Sequence, residues 1–245
     1  AGTGVTKLAI ISGGSRGLGA ALCDAFVAQG FELIELSRAA PRAAQSVRVD
    51  LAQPVEACDA LRAAIAATLE RIDATSLDEV IVVSNAAMLD PIGTTPRQAT
   101  AAIVRNLEVN LVGAIAFVAA AVDALQAVRA RKLAMVIGSG AASNPRPGLS
   151  LYCAAKAGLE QYVRVLALEQ TQQPWPFVAI TVDPGALDTD MQLALRSAPT
   201  QALPDAADFA QRHESGSLRD AHFAAGAILR LAREGSLEGG QRYRV

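Results

Sequence analysis

The stretch KLAIISGGSRGLGAAL, residues 7–22, decides the fold. It opens with an apolar run that is typical of a buried parallel strand and closes with an Ala-rich helical pattern. Between the two lie Gly13, Gly14, Gly17 and Gly19. A glycine-rich turn between strand and helix lets the main chain approach a pyrophosphate, which the helix N-terminus attracts. The stretch therefore predicts a dinucleotide-binding turn, with a tight turn required by packing as the alternative.

The spacing within this turn is Gly-x-x-x-Gly-x-Gly, which differs from the Gly-x-Gly-x-x-Gly fingerprint of many dinucleotide sites. Because the turn directly follows the first apolar strand, we favour the dinucleotide interpretation. The turn residues predicted to contact the cofactor are Gly13, Ser15, Arg16, Gly17, Leu18 and Gly19.

Short apolar runs alternate with helical patterns along the rest of the chain. Runs such as VIVVS and AMVIGS are apolar on both faces, as expected for parallel strands covered by helices. We expect strands at 7–12, 32–37, 47–50, 79–84, 133–138 and 177–183, and helices at 17–29, 54–72, 97–129, 152–170 and 218–233. This alternation predicts an α/β protein: one Rossmann-fold domain over 1–245, with a doubly wound parallel sheet and helices on both faces.

Composition and charge limit the classes of function. The formal net charge of −2 gives no electrostatic case for nucleic acid or an anionic membrane as partner. The three cysteines and two histidines have neither a disulfide nor a zinc-site spacing, so we expect no metal and a reduced, cytoplasmic protein. We find no signal-peptide pattern and no run of about 18 apolar residues, so no membrane span is expected.

The end of the second predicted strand bears on which dinucleotide is bound. An acidic residue there would bond the ribose 2′-hydroxyl of NAD, but this strand ends in Ser37 and Arg38. Arg16 lies within the glycine-rich turn. Two guanidinium groups that converge on the 2′ position would hold a phosphate through bidentate bonds. The pattern predicts NADP(H), with solvated surface arginines as the alternative.

Two further segments at strand ends are predicted to line the adenosine part of the site. Asp50 and Leu51 follow the third strand, where the Asp50 carboxylate could accept from the adenine amino group. An ordinary cap of the next helix is the alternative. After the fourth strand, Asn85, Ala86 and Ala87 would run past the ribose, with simple close packing as the alternative.

A Ser, a Tyr and a Lys form a candidate catalytic set. Tyr152 and Lys156 stand four positions apart on a predicted helix and share a face. The pKa of an unperturbed tyrosine is about 10, and a nearby ammonium group together with a cationic nicotinamide would lower it. Tyr152 would then donate a proton to a carbonyl oxygen that Ser139, after the fifth strand, orients. For the Tyr–Lys pair alone, a half-buried tyrosine beside a solvated lysine is the alternative.

Together these motifs resemble the short-chain dehydrogenase/reductase family over essentially the whole chain. The matching pieces are SGGSRGLG, SNAA, the Ser–Tyr–Lys set and DPGALDT. The resemblance implies a fourth catalytic residue, Asn110, which holds a water that relays protons to Lys156, and it implies that Lys156 also bonds the nicotinamide ribose. By the same match, a segment after the sixth strand would contact the nicotinamide carboxamide; it comprises Pro184, Gly185, Leu187 and Thr189.

Within that family, DPGALDTDMQ resembles sepiapterin reductases and bacterial relatives that reduce vicinal diketones such as benzil. Sepiapterin reductases anchor the pterin with an acidic residue near the C-terminus, and here its position falls near Tyr243. The resemblance therefore favours general carbonyl reduction over pterin reduction. Ser12, Ser84, Ala87 and Ala155 depart from the family pattern without removing a catalytic group.

Three functional hypotheses follow. The leading one is an NADPH-dependent reductase of a small-molecule ketone or α-dicarbonyl compound. The second is reduction of a 3-oxoacyl thioester, and the third is a dinucleotide-binding sensor without turnover. The intact set of Ser139, Tyr152 and Lys156 argues against the sensor, which would not need all three.

Two regions bear on substrate and assembly. The irregular segment 186–218, rich in Pro and Gly, is predicted to be a lid or substrate loop. The apolar helix at 97–129 has more apolar surface than one sheet face needs, so with the Tyr152 helix it predicts the interface of a homodimer or homotetramer. Burial of that helix inside the monomer is the alternative. Cys153, beside Tyr152, is interpreted as a small packing residue.

Overall fold

The computed structural model describes residues 6–39, 46–72 and 74–245. Its strands form one sheet in the order β3-β2-β1-β4-β5-β6-β7, and every pair of neighbours is parallel. The strands are β1 (Thr6–Ser12), β2 (Glu32–Ser37), β3 (Ser46–Arg48), β4 (Leu77–Ser84), β5 (Arg131–Ile137), β6 (Phe177–Asp183) and β7 (Arg242–Arg244). The predicted parallel α/β fold is confirmed.

Helices cover both faces of the sheet. They are α1 (Gly17–Ala28), α2 (Pro54–Ile72), α3 (Thr100–Leu107), α4 (Ala114–Leu125), α5 (Ser150–Gln170), α6 (Asp190–Arg196), α7 (Ala206–Glu214) and α8 (Ala221–Ala232). One apolar core joins the sheet to α2, α4 and α5, and a second joins its other face to α1 and α8. Strand order reverses between β1 and β4, so the crevice in which such sheets bind ligands opens there.

All six predicted strands are present, with ends shifted by at most two residues. The seventh, β7, was missed. Its three residues read Arg-Tyr-Arg, a pattern too short and too charged to predict a strand, and pairing with β6 is what orders them.

The prediction of a single helix at 97–129 is wrong. The chain instead forms α3, a π-helical segment at Glu108–Gly113, and then α4. At the junction Gly113 packs so closely on Leu51 that a Cβ atom would lie 2.3 Å from the Leu51 carbonyl oxygen. Single-turn π segments often occur at functional sites, and this one carries Asn110.

The prediction that 186–218 is irregular is also wrong, since it contains α6 and α7. These helices bury Leu195 and Phe209 in a third apolar cluster that includes Tyr152. Because Leu195 and Phe209 also line the cleft, the segment packs beside the site, and its predicted role as a lid or substrate loop stays a prediction.

The stretch Thr100–Leu125 is long enough to span a membrane, and its most apolar 18-residue window, with a mean hydropathy of 1.8, is apolar enough by composition. Its longest uninterrupted apolar run, residues 111–122, is shorter than the run of about 18 residues that the sequence analysis looked for. Half of its most apolar window is buried inside the protein, where Phe117, Val118 and Leu125 pack in the core beneath the sheet. That burial is typical of a core helix.

Candidate active site

A cleft of ≈ 1620 Å³ opens at the carboxyl ends of the strands. It is larger than the cavity that a drug-sized ligand needs, so it has room for a dinucleotide and a substrate together. Asn110 lies outside its lining, whereas all the other predicted site residues line it. They are Gly13, Ser15, Arg16, Gly17, Leu18, Gly19, Ser37, Arg38, Asp50, Leu51, Asn85, Ala86, Ala87, Ser139, Tyr152, Lys156, Pro184, Gly185, Leu187 and Thr189.

The glycine-rich turn is stabilised by hydrogen bonds with the segment that directly follows β4. Gly13 has φ +73°, and a Cβ atom on Gly19 would lie 2.0 Å from the Gly13 carbonyl oxygen, so both positions require glycine. Asn85 donates from Nδ2 to the carbonyls of Ser12 and Gly13, at 3.2 and 3.1 Å. The Ser12 hydroxyl accepts from the main-chain N–H groups of Asn85 and Ala86, at 3.1 and 3.2 Å.

The residues present fit a dinucleotide. The N-terminus of α1 opens into the cleft, and within the described part of the chain its N-cap, Arg16, makes no side-chain capping bond. The first-turn N–H groups of a helix without such a cap attract an anion such as a pyrophosphate. Gly17, with φ +54°, keeps this end of the helix free of a side chain.

The structure does not bring the two predicted 2′-phosphate ligands onto a common partner. Arg16 donates to the Asp190 carboxylate of α6 at 3.1 Å, and both side chains are exposed. Arg38 is exposed just after β2, where its charge helps to lower the pKa of Asp50. Arg16 therefore spans from the glycine turn to α6, while both arginines line the same cleft, and their joint contact with a 2′-phosphate stays a prediction.

The carboxylate of Asp50 is hydrogen-bonded to groups of the protein itself. Its carboxylate accepts from Ala52 N–H at 3.0 Å and from Arg105 at 3.0 Å. Burial raises the pKa of Asp50, but these two hydrogen bonds outweigh it and leave the pKa below its usual value. The contact with Ala52 stabilises the turn that precedes α2 and leaves the predicted cap of that helix untested, because α2 begins at Pro54.

Ser139, Tyr152 and Lys156 meet at the floor of the cleft. Ser139 follows β5, and its hydroxyl accepts from Ala141 N–H at 3.2 Å. Tyr152 lies in the first turn of α5 and is 9 % exposed. Lys156, 3 % exposed, donates from Nζ to the Ile137 carbonyl at 2.7 Å and lies 5.6 Å from the Tyr152 ring centroid.

Burial shifts both titratable groups toward their neutral forms. It raises the pKa of Tyr152 to about 12, against the effect of a hydrogen bond with Ser139, and the carboxylate of Asp183 adds to the rise. Burial likewise lowers the pKa of Lys156 to about 8. In the chain without a cofactor, desolvation dominates the pKa of Tyr152, and the expected lowering by Lys156 together with a bound nicotinamide stays a prediction. At neutral pH Tyr152 therefore keeps its proton.

The side chain of Asn110 is hydrogen-bonded to the main chain of Met88, which lines the cleft. Its Oδ1 accepts from Met88 N–H at 2.8 Å, and its Nδ2 donates to the Met88 carbonyl at 2.8 Å and to Asn106 Oδ1 at 3.0 Å. The buried side-chain amide is thereby committed to protein partners. It fixes the segment after β4 against the π-helical turn.

The segment after β6 is hydrogen-bonded to the chain that precedes α8. The N–H of Arg219 donates to the Ala186 carbonyl, and the N–H of Asp188 donates to the Arg219 carbonyl, both at 2.9 Å. This small bridge positions Leu187 and leads into Thr189, which precedes α6 and faces Gly17 across the cleft.

These features agree with a comparison of the whole chain with known protein families. Residues 7–200 match the family model described as short chain dehydrogenase. The chain belongs to the short-chain dehydrogenase family. It is therefore an oxidoreductase of a family that uses NAD(P)(H) and acts on small carbonyl compounds.

Relatives within the short-chain dehydrogenases cover nearly the same length. The chain is 30% identical over 243 residues to a benzil reductase ((S)-benzoin forming) from Bacillus subtilis strain 168, and the match spans 98% of each chain. It is also 30% identical over 206 residues to a 3-oxoacyl-[acyl-carrier-protein] reductase from Pseudomonas aeruginosa, over 80% of each chain. Among solved structures, that of the KRED1-Pglu enzyme superposes with a TM-score of 0.82 at 26% identity, covering 97% of this chain and 100% of that one.

An apolar wall faces the candidate catalytic set of Ser139, Tyr152 and Lys156, and the sequence analysis did not predict it. Leu89, Leu149, Leu195 and Phe209 are buried in one cluster with Tyr152, and all of them line the cleft. Met191 adds its sulfur, 4.0 Å from the Tyr152 hydroxyl. The buried face of α6 and α7 is the signal that could have shown this wall, but it requires recognising two helices in 186–218.

The position near Tyr243, where the resemblance places the pterin-anchoring acid, lies on β7. Tyr243 does not line the cleft; its ring packs against the core on the α1 and α8 face, and its hydroxyl accepts from Glu238 N–H at 2.8 Å. Because side chains alternate along a strand, Arg242 and Arg244 face the cleft instead. Arg242 is bound to the Asp183 carboxylate at 2.7 Å.

In the described part of the chain, no group of three or more His, Cys, Asp or Glu residues is arranged to hold a metal ion.

Proposed function

We propose that this short-chain dehydrogenase is an NADPH-dependent reductase that converts a ketone or α-dicarbonyl compound to the alcohol. The observation that carries the proposal is the position of the Tyr152 hydroxyl. It lies between Ser139 on the polar floor and Met191 on the apolar wall, so it faces both a proton-donating network and a pocket for a carbonyl compound.

In this proposal each polar group has one task. NADPH held at the glycine-rich turn would supply hydride to the carbonyl carbon, and Ser139 would orient the carbonyl oxygen by hydrogen bonding. Tyr152, whose raised pKa keeps it protonated at neutral pH, donates its proton to that oxygen. Lys156, with a pKa of about 8, is a suitable group to return a proton to Tyr152. Asn110 holds the neighbouring main chain in place, and its role in holding a water for this relay rests on the family resemblance.

The preference for NADPH rests on the end of β2. Ser37 and Arg38 occupy the place where an acidic residue would bond the ribose 2′-hydroxyl of NAD, and Arg38 supplies a positive charge there. We assign the 2′-phosphate to Arg38, since Arg16 is paired with Asp190.

An aromatic diketone fits the apolar wall best. Leu89, Leu149, Leu195 and Phe209 offer several buried apolar side chains near the proton donor, which suits aryl or alkyl groups on either side of a dicarbonyl. The similarity to benzil reductases supports this substrate class. Similarity to a 3-oxoacyl thioester reductase keeps that substrate as the second candidate.

The test is a substrate panel with purified protein. NADPH and NADH oxidation would be followed by the absorbance of the reduced nicotinamide with benzil, an aliphatic diketone, sepiapterin and acetoacetyl thioester. We expect turnover of diketones with NADPH and little with sepiapterin. Turnover of the thioester alone would favour the second candidate, and inactivity with every carbonyl would favour a dinucleotide-binding sensor.

We also propose a homodimer or homotetramer built on the outer faces of the helices from α3 to α5. Val104, Val112, Val165 and Leu168 are large apolar residues on these helices, and each is between 43% and 69% exposed. A charged Leu168→Asp variant should shift the mass measured by light scattering toward the monomer, whereas a monomeric wild type would contradict the proposal.

A further inference from the structure

Gln192, on α6, is a buried polar side chain whose donor is unused. It is 5% exposed and lines the cleft. Its Nε2 has no hydrogen-bond partner among the described residues. Buried side-chain N–H groups nearly always have an acceptor, so an unpaired one at the wall of a ligand cleft indicates an acceptor on the ligand.

The helix face that carries Gln192 points toward the reacting end of the cleft. Gln192 and Leu195 are three residues apart on α6 and therefore share a face. Leu195 packs in the apolar cluster that contains Tyr152. The preceding residue, Met191, places its sulfur 4.0 Å from the Tyr152 hydroxyl. Gln192 thus lines the same cleft as the proton donor and shares the helix face whose Leu195 packs in the cluster around Tyr152.

An α-dicarbonyl compound has two oxygen acceptors on adjacent carbons. In the proposed reaction the first accepts from Ser139 and Tyr152, which leaves the second without a donor on the polar floor. We propose that Nε2 of Gln192 donates a hydrogen bond to this second carbonyl oxygen. Gln192 then selects vicinal dicarbonyl compounds over simple ketones and fixes which carbonyl faces Tyr152. This inference rests on the proposed reductase function.

A matched pair of substrates tests the assignment. Benzil and deoxybenzoin carry the same two phenyl rings, but deoxybenzoin has a methylene group in place of the second carbonyl. The variant Gln192→Met keeps the length of the side chain and removes the donor. With NADPH we expect kcat/KM for benzil to fall about tenfold and that for deoxybenzoin to stay within about twofold of wild type.

Two controls and one binding measurement separate this role from others. Leu193→Gln adds an amide to the exposed side of the same helix and should leave both substrates unaffected, because Leu193 is 49% exposed and lies outside the cleft. The dissociation constant of NADPH, measured by its fluorescence, should be unchanged in Gln192→Met. Binding of benzil to the enzyme with NADP⁺, measured by calorimetry, should weaken while that of deoxybenzoin should not.

Results that contradict the role of Gln192 differ from those that contradict the proposed function. Equal losses of kcat/KM for both ketones would show that Gln192 shapes the pocket without recognising the second carbonyl. Weaker NADPH binding in Gln192→Met would place the amide on the cofactor, and either result would overturn this inference alone. If the wild type reduced neither compound, the proposed function would fail and this inference with it.

Discussion

Lys156 donates a hydrogen bond to the Ile137 carbonyl at 2.7 Å, which ties the helix that carries the proton donor to the strand that ends beside Ser139. The contact buries a charged group, since Lys156 is 3% exposed, and burial lowers its pKa to about 8. The position of this ammonium group therefore costs stability at neutral pH, where it is protonated.

This cost predicts a pH dependence of stability. The pKa of Lys156 is about 8 in the folded state and about 10.4 when unfolded, so between these values the unfolded state binds more protons and stability rises with pH. Compared with Lys156→Met, the wild type should gain about 2 kcal/mol of unfolding free energy between about pH 7 and about pH 10. Urea unfolding of both proteins at the two pH values measures the difference. A difference that is independent of pH would show that the ammonium group is not desolvated.

Gly19→Ala tests the glycine-rich turn. The new Cβ atom would lie 2.0 Å from the Gly13 carbonyl, so the turn must shift. We expect the melting temperature to fall by roughly 5–10 °C and NADPH binding to be lost. Gly93→Ala is the control, because a Cβ atom there would meet no atom within 4 Å in the described structure, apart from its chain neighbours. Normal NADPH binding by Gly19→Ala would show that the turn does not hold the cofactor.

Arg38→Ala tests the choice of cofactor. Removal of the guanidinium group that we assign to the 2′-phosphate should raise KM for NADPH about tenfold or more, since hydrogen bonds between charged groups contribute about 1.5–3 kcal/mol. KM for NADH should hardly change. Arg16→Ala serves as comparison, because Arg16 pairs with the exposed carboxylate of Asp190 and a smaller effect is expected. Equal losses for both cofactors in Arg38→Ala would argue against a 2′-phosphate contact.

Much of the fold and the floor of the cleft could be predicted from local spacing. The glycine turn after β1 and the pair Tyr152 and Lys156 each depend on a few neighbouring residues, so their pattern is visible in the sequence. Buried parallel strands such as β4 are likewise apolar throughout and easy to find.

The rest depends on contacts between distant parts of the chain. Arg16 pairs with Asp190, 174 positions away, and such an exposed ion pair has no sequence signal. The burial of Gln192 follows from how α6 and α7 pack over the cleft, and the π-helical turn follows from the approach of Gly113 to Leu51. The direction of the pKa shift of Tyr152 does not follow from its spacing to Lys156, because the burial that dominates the shift depends on the whole fold.

The measurement that tests the central claim most directly is NADPH-dependent reduction of benzil by wild type and Tyr152→Phe. The variant keeps the ring in its apolar cluster and removes the proton donor. We predict a loss of kcat of at least about a hundredfold, with the NADPH dissociation constant within about twofold of wild type. Near-normal turnover by Tyr152→Phe, with NADPH binding intact, would contradict the assignment of Tyr152 as the proton donor.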